Sequence, residues 1–230
     1  MPIGNRVFEK RVVPDYALVQ AFRMIPTANI GDAMCRLYSM NTRIRLISNP
    51  PTQTMAGVAL TVNARSGDNL FIHHAVDMAG KGDIIVTANG EEFQRSLAGE
   101  LLVNHAISRG VEGFVFDGAI RDVDAIAQMT IPIYATGTTP GGPYKEGPGE
   151  INVPISCGGI AVLPGDIIVG DRDGVIVIRA QDAEEVLEAA QILAKADSQK
   201  VALAKAGQAN REWITKTLKE KQTTFHANMF

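Results

Sequence analysis

A chain of 230 residues is long enough to bury one generous core, and its composition is that of an ordinary globular protein: 46% hydrophobic, 20% charged, 22 glycines. With 22 Lys+Arg against 25 Asp+Glu, a net charge of −3 and no basic run, it has no field to gather phosphates, so direct nucleic-acid binding is excluded as an expectation. Two cysteines, Cys35 and Cys157, lie far apart in no metal-ligand spacing, the start MPIGNRVFEKRVVPDY lacks a signal-peptide core, and no run is long enough to span a bilayer. The reading is a cytoplasmic protein without membrane partners.

In chain order, Asp15 caps a predicted helix through YALVQAF, and Pro26 separates it from a second helix, TANIGDAMCRL, whose Ile30, Ala33, Met34 and Leu37 share a helical face. MAGVALTVNA predicts a strand, DNLFIHHAVDMA a helix with Asp68 near its start, GDIIVTA a buried strand, ANGEEFQRSL a loop, GELLVNHAISRG a helix and GFVFDG a strand. This alternation indicates an α/β domain with at least partly parallel pairing.

Further on, IPIYATG predicts a strand and TTPGGPYKEGPGE a glycine- and proline-rich loop. INVPISCGGIAVLPGDIIVGDRDGVIVI reads as short strands with turns at PGD and RDG. The repeat of GDIIV at 82–86 and 165–169 is ordinary turn chemistry before a strand rather than evidence of duplication. From Gln181 a helical period returns, and REWITKTL forms a last helix. The expectation is one domain over 1–230, a β-rich centre flanked by helices, with 181–230 a helical extension that contacts a neighbouring subunit.

Two stretches could carry chemistry. Glycine is poorly suited to a helix interior, so Gly99 in GELL is better placed at a helix start, where the free N–H groups of Gly99, Glu100, Leu101 and Leu102 would form an anion-binding spot. In DGAIRD the following strand returns Arg121 toward that spot, and amides plus a guanidinium make a clamp for a small carboxylate. Asp122 would repel such an anion unless a divalent cation bridged them, and Mg²⁺ tolerates one protein carboxylate. The alternative is structural: Asp122 caps the helix starting VDAIAQM and Arg121 pairs with Asp117. Spacing alone favours this alternative.

Other candidates carry less. His73 and His74 are adjacent, so on a helix they diverge and make no ligand pair, and His105 reads as a packed or partly exposed side chain. No lysine lies in an apolar strand to serve as a Schiff base, and Lys145 in the glycine-rich loop reads as a mobile surface residue.

GDNLFIHHA, GELL, GFVFDGAIRDVDAI, GPYKEGPGEINVPIS and PGDIIVGDRDGV resemble the RraA-like family over nearly the whole chain. That family includes metal-dependent, class II pyruvate aldolases acting on 4-hydroxy-4-methyl-2-oxoglutarate and 4-carboxy-4-hydroxy-2-oxoadipate. The resemblance implies an α-β-β-α sandwich related to swivelling phosphohistidine domains, assembled as a homotrimer or a pair of trimers (a homohexamer) with sites between subunits. It implies that the amides of Gly99, Glu100, Leu101 and Leu102 hold the carboxylate of a small oxo acid and that Arg121 contacts its oxygens. It implies Asp122 as the direct ligand of Mg²⁺ or Mn²⁺, with Glu100 acting through a water. A neighbouring subunit's Asp197 would act likewise, an Asp where the aldolases usually carry Glu. Aldol cleavage and oxaloacetate decarboxylation leave the same pyruvate enolate, so one site would serve both. The other implied role is regulatory, since the founding members inhibit ribonuclease E by protein contact.

Overall fold

The computed structural model describes residues 3–51, 54–90 and 93–227. Part of the loop expected over 88–97, Glu91 and Glu92, therefore lies outside the described residues, as does the start of the chain at Met1 and Pro2. The elements are β1 (Asn5–Val7), α1 (Tyr16–Ala21), α2 (Thr27–Ala33), β2 (Arg45–Leu46), β3 (Met55–Ala64), α3 (Leu70–Met78), β4 (Asp83–Ala88), α4 (Glu100–Arg109) and β5 (Gly113–Ile120). They continue with α5 (Val123–Ile126), β6 (Ile133–Thr138), β7 (Gly149–Ile151), β8 (Ile155–Cys157), β9 (Ile160–Val162), β10 (Ile167–Gly170), β11 (Val175–Ile178), α6 (Ala183–Lys205) and α7 (Glu212–Glu220). Among the described residues no helix is long and apolar enough to cross a membrane.

The period-2 alternation of the strands builds the layers. In β3 the even residues Leu60 and Val62 pack under α3 and α4 with Ile85, Phe114 and Phe116. The odd residue Ala59 faces the opposite way, with Ile84, Val86, Val115 and Tyr134, toward Ile168, Val175 and Val177 of β10 and β11 and toward Ile155 and Cys157 of β8. Beyond that second β layer, Ile167, Val169, Ile176 and Ile178 meet Phe22, Ile30, Ala183 and Ala190 of the α1, α2 and α6 side. Three stacked cores between helix, sheet, sheet and helix make the expected α-β-β-α sandwich.

The length of β3 permits this. Its first half pairs antiparallel with β10, from Met55↔Gly170 to Val58↔Ile167, and its last three residues pair antiparallel with β7. On its other side β3, β4, β5 and β6 run parallel, as the strand and helix alternation predicts. Strands buried on both faces read as continuous apolar runs, which is why GDIIVTA and GFVF lack polar alternation.

Several boundaries differ from the sequence expectation. α2 stops at Ala33 because Cys35 and Arg36 take positive φ, of 55° and 64°, and Leu37 is left exposed. The strand expected to end at Gly118 runs on to Ile120, and only Val123–Ile126 of VDAIAQM is helical. The glycine-rich loop ends in β7, whose Glu150 pairs with Arg6 of β1. The extension is partly integral: Ala183 and Ala190 of α6 are buried against the chain's own core, whereas α7 buries no residue.

Candidate active site

The segment before α4 lies alongside the end of β5. Leu97 donates its N–H to Ala119 O at 2.8 Å, and Arg121 donates its N–H to Ala98 O at 3.0 Å. These bonds set the first turn of α4 directly against Arg121 and Asp122. Gly99 is the N-cap residue, in an extended conformation with φ −152°, as the poor helical fit of glycine predicts. A Cβ there would overlap Asp122 Oδ2 and stand 3.0 Å from Arg121 Cγ, so only glycine leaves both side chains where they stand.

Asp122 adopts a left-handed backbone, φ 59° and ψ 41°, a conformation that Asp tolerates better than most residues. That turn aims its carboxylate back at α4, where Oδ2 accepts the Glu100 N–H at 3.0 Å. Its side chain makes no capping bond to α5. Arg121 Nε is 3.6 Å from the same Oδ2, and both side chains are nearly half exposed. The structural alternative thus fails on both counts. Asp122 caps α4 and not the helix that follows it, and Asp117 belongs to Arg43, whose Nη2 donates to its two oxygens at 3.0 and 3.2 Å.

A β-bulge explains the separation of the two carboxylates. The β5/β6 register shifts between Phe116 and Ala119, and the buried Asp117 in that interval also accepts the Gly158 N–H at 2.8 Å. Arg121 is left to face a cavity of about 340 Å³ lined by Gly99, Leu101, Leu102, Arg121 and Asp122 on one side of the chain's fold and by Asn69, His73, Ser96, Gly142, Pro143 and Lys145 elsewhere.

Of the residues singled out in the sequence, Gly99, Leu101, Leu102, Arg121 and Asp122 meet at this cavity. Glu100 contributes its amide to Asp122 while its exposed side chain stands on the first turn of α4. Asp197 is not brought to the cavity within the chain: its Oδ2 accepts from Asn29 Nδ2 at 2.8 Å and its Oδ1 from Lys200 Nζ at 2.9 Å, which together hold its carboxyl below the usual range. Among the described residues, no group of three His, Cys, Asp or Glu side chains converges to hold a metal.

Sequence reasoning missed the rest of the lining. Lys145 is exposed, as the sequence suggests, but lines the cavity, and Asn69 and His73 stand with it. The two adjacent histidines do diverge, His74 outward and His73 into the cavity wall, where burial first and then the Lys145 charge push its pKa below the usual imidazole value. His105 is half exposed and pairs with Asp77 at 3.0 Å, which agrees with its expected surface role.

The model of the RraA-like family, described as Aldolase/RraA, matches residues 27–177. A Halalkalibacterium halodurans protein provisionally named 4-hydroxy-4-methyl-2-oxoglutarate aldolase is 42% identical over 173 residues, covering 75% of this chain and 81% of that protein. Among solved structures, an uncharacterized protein from Pseudomonas syringae has the same fold, with a TM-score of 0.76 at 22% identity over 86% of this chain and 96% of that one. The RNA-processing inhibitor RraA from Thermus thermophilis aligns with a TM-score of 0.62 at 26% identity over 66% of this chain and 92% of its own. By the family match, which spans every cavity-lining residue, and by the likeness to its relatives, the chain belongs to the RraA-like family.

Proposed function

We propose that the chain is a divalent-metal-dependent lyase that cleaves a 4-hydroxy-2-oxo acid, such as 4-hydroxy-4-methyl-2-oxoglutarate or 4-carboxy-4-hydroxy-2-oxoadipate, to pyruvate and a second oxo acid, and that also decarboxylates oxaloacetate. The observation that carries this reading is the placement of Arg121 and Asp122 against the first turn of α4 at one cavity. The name of the Halalkalibacterium relative supports the aldolase class.

The donor set suits a hard cation. Asp122 Oδ2 is engaged by the Glu100 amide, and Oδ1 accepts no hydrogen bond among the described residues. One free carboxylate oxygen fits Mg²⁺ or Mn²⁺, which keep much of their shell as water and substrate oxygens. Asp122 would hold the ion directly. Glu100 and, in a homotrimer or pair of trimers, a neighbouring copy's Asp197 would act through water. When bound, the cation withdraws charge from the substrate's keto oxygen as a Lewis acid.

The chain's own groups do the rest. The N–H groups of Leu101 and Leu102, at the positive end of α4, receive the substrate carboxylate. Arg121 donates to the keto and carboxylate oxygens, and its fixed charge favours the enolate more than the ground state. Glu100 takes the C4 hydroxyl proton by way of a water. The C3–C4 bond then breaks, its electron pair passes to the enolate, and C4 becomes the carbonyl of the second product. With oxaloacetate the same enolate forms as carbon dioxide leaves.

The test is pyruvate release from 4-hydroxy-4-methyl-2-oxoglutarate and from oxaloacetate, with Mg²⁺ or with EDTA, in the wild type and in Asp122→Ala. The expected result is metal-dependent turnover that falls by at least about 100-fold in the variant. Turnover of neither acid above the metal-only rate would overturn the lyase reading. It would favour a second one, a regulatory protein contacting ribonuclease E or another partner, which the likeness to the Thermus inhibitor and the exposed Ile192, Val201, Leu203 and Trp213 of α6 and α7 support.

A further inference from the structure

The RDG turn between β10 and β11 takes no part in the reaction proposed above, yet its Arg172 lines a cavity of about 590 Å³ together with Arg45 of β2. This cavity shares no lining residue with the candidate active site. Ala127, which follows α5, belongs to it, whereas Arg121 and Asp122 precede that helix. Each arginine alone has an ordinary explanation: Arg45 is a charge that blunts an edge strand, and Arg172 a solvated turn residue. Neither explanation accounts for two guanidinium groups from distant parts of the chain, on separately anchored backbones, at one concave surface.

The anchors are hydrogen bonds. At the turn, Tyr134 donates its hydroxyl to Asp171 O at 2.9 Å, and the Asp171 carboxylate accepts the Thr27 N–H at 2.9 Å, the Thr27 hydroxyl at 2.7 Å and the Asp173 N–H at 2.9 Å. Arg172 Nη2 then donates to Asn49 Oδ1 at 3.1 Å. Across the cavity, β2 is held to β6 by the register Arg45↔Ala135, by the Ile47 N–H to Ile133 O at 2.8 Å and by the Ile133 N–H to Ser48 Oγ at 2.9 Å. Arg45 Nε donates to Thr42 O at 3.2 Å. Among the described residues neither guanidinium pairs with a carboxylate, and the two terminal nitrogens of Arg45 donate to no acceptor. Donors whose backbone is set before a ligand arrives describe an anion site. The lining holds one acid, Asp173, against the two guanidinium groups, so it favours a single negative charge and opposes a multiple one. Ile44, Leu46 and Ala127 add an apolar wall.

We propose that this cavity is a second ligand site, which takes a small aliphatic monocarboxylic acid. Arg45 and Arg172 donate to its carboxylate, the apolar wall covers its hydrocarbon end, and Asp173 disfavours phosphate and other multiply charged anions. The volume is that of a small-molecule site. The site is independent of the lyase reading, since none of its residues touches the substrate proposed there.

The experiment follows binding of 4-methylpentanoate, of the uncharged 4-methylpentanamide and of inorganic phosphate by ligand-observed NMR, in the wild type, Arg45→Gln, Arg172→Gln, Asp173→Asn and Arg121→Gln. The acid has no 2-oxo group, which keeps it from chelating a metal at the candidate active site. The expected result is saturable binding of 4-methylpentanoate that weakens roughly 10- to 100-fold in each of Arg45→Gln and Arg172→Gln, the loss of a charged hydrogen bond, and stays within about threefold in Arg121→Gln. The wild type binds the amide and phosphate at least about 10-fold more weakly than the acid, and Asp173→Asn narrows the gap for phosphate alone. No saturable binding of the acid in the wild type would overturn the proposal. So would binding that Arg121→Gln abolishes while Arg45→Gln and Arg172→Gln leave it intact, which would assign the acid to the cavity beside α4. Phosphate bound by the wild type as tightly as the acid would overturn it as well, by making the site one for multiply charged anions. Arg45, Arg172 and Asp173 are exposed, so their variants fold.

Discussion

Gly99→Ala separates the geometry of the site from the stability of the fold. The residue is extended, with φ −152°, so alanine meets no backbone penalty and the whole effect comes from the added methyl. That methyl would overlap Asp122 Oδ2 and stand 3.0 and 3.1 Å from Arg121 Cγ and Nε. Both side chains are only about half covered, 46% and 41% exposed, so they can swing aside instead of straining a packed core. The stability loss is then confined to the Glu100 N–H bond and the favourable charge at the start of α4, about 1–2 kcal/mol. Activity suffers more, because a displacement of about an ångström in positioned groups costs about 100-fold in kcat/KM, equivalent to roughly 2.7 kcal/mol. Urea denaturation and pyruvate release from 4-hydroxy-4-methyl-2-oxoglutarate measure the two quantities on the same preparation. In an Asp122→Ala background the added methyl has lost its main obstacle, so the two stability losses should not add. Unchanged kcat/KM in Gly99→Ala, or full additivity in the double variant, would refute the argued contact.

Asp117→Asn should do the opposite: it removes the charge that Arg43 meets in the interior and lowers stability by about 1–3 kcal/mol, while kcat/KM of the folded protein stays within about threefold. A collapse of activity with unchanged denaturation would place Asp117 in the site and reverse the assignment. At the sheet edge, the hydrogen bond from Arg6 and then that from the Gly4 amide hold the Glu150 carboxyl below its ordinary value of 4.5. Its contribution to stability is therefore complete above about pH 4.5 and disappears as pH falls through the lowered value, because the unfolded chain binds that proton first. Unfolding free energies followed from pH 6 to 3 should fall more steeply in the wild type than in Glu150→Gln, and parallel curves would show that the pair is not linked to folding.

What was legible in the sequence follows the range of the interactions involved. β3, α3, β4, α4 and β5 could be read because their apolar periods are local, and Gly99 at a helix start because helical cost is local. β1 could not be read: the charged NRV becomes a strand only by pairing with β7 about 144 residues away, where Arg6 meets Glu150. The end of α2 was missed because nothing in CRL announces two successive positive-φ residues. The place of Lys145 at the cavity was not legible for a related reason. Glycine and proline describe the freedom of the isolated loop, whereas Asp68, 78 residues earlier at the Glu146 bond, removes that freedom in the fold.

The two carboxylates of DGAIRD show how one short stretch divides structure from chemistry. Asp117 and Asp122 carry the same group five positions apart, and spacing alone offers Arg121 to either. The bulge between Phe116 and Ala119 and the burial of Asp117 commit the first to Arg43 and to the Gly158 amide, where its charge serves the interior. The left-handed backbone at Asp122 turns the second onto α4, in a conformation that costs a non-glycine residue about 1–2 kcal/mol. The hydrogen bond from Glu100 N–H and the favourable charge at the start of α4 offset a cost of that size. Asp117 gives both oxygens to Arg43 and the Gly158 amide, whereas Asp122 keeps Oδ1 without a hydrogen bond among the described residues, and this difference supports placing the proposed cation at Asp122 rather than at its buried neighbour.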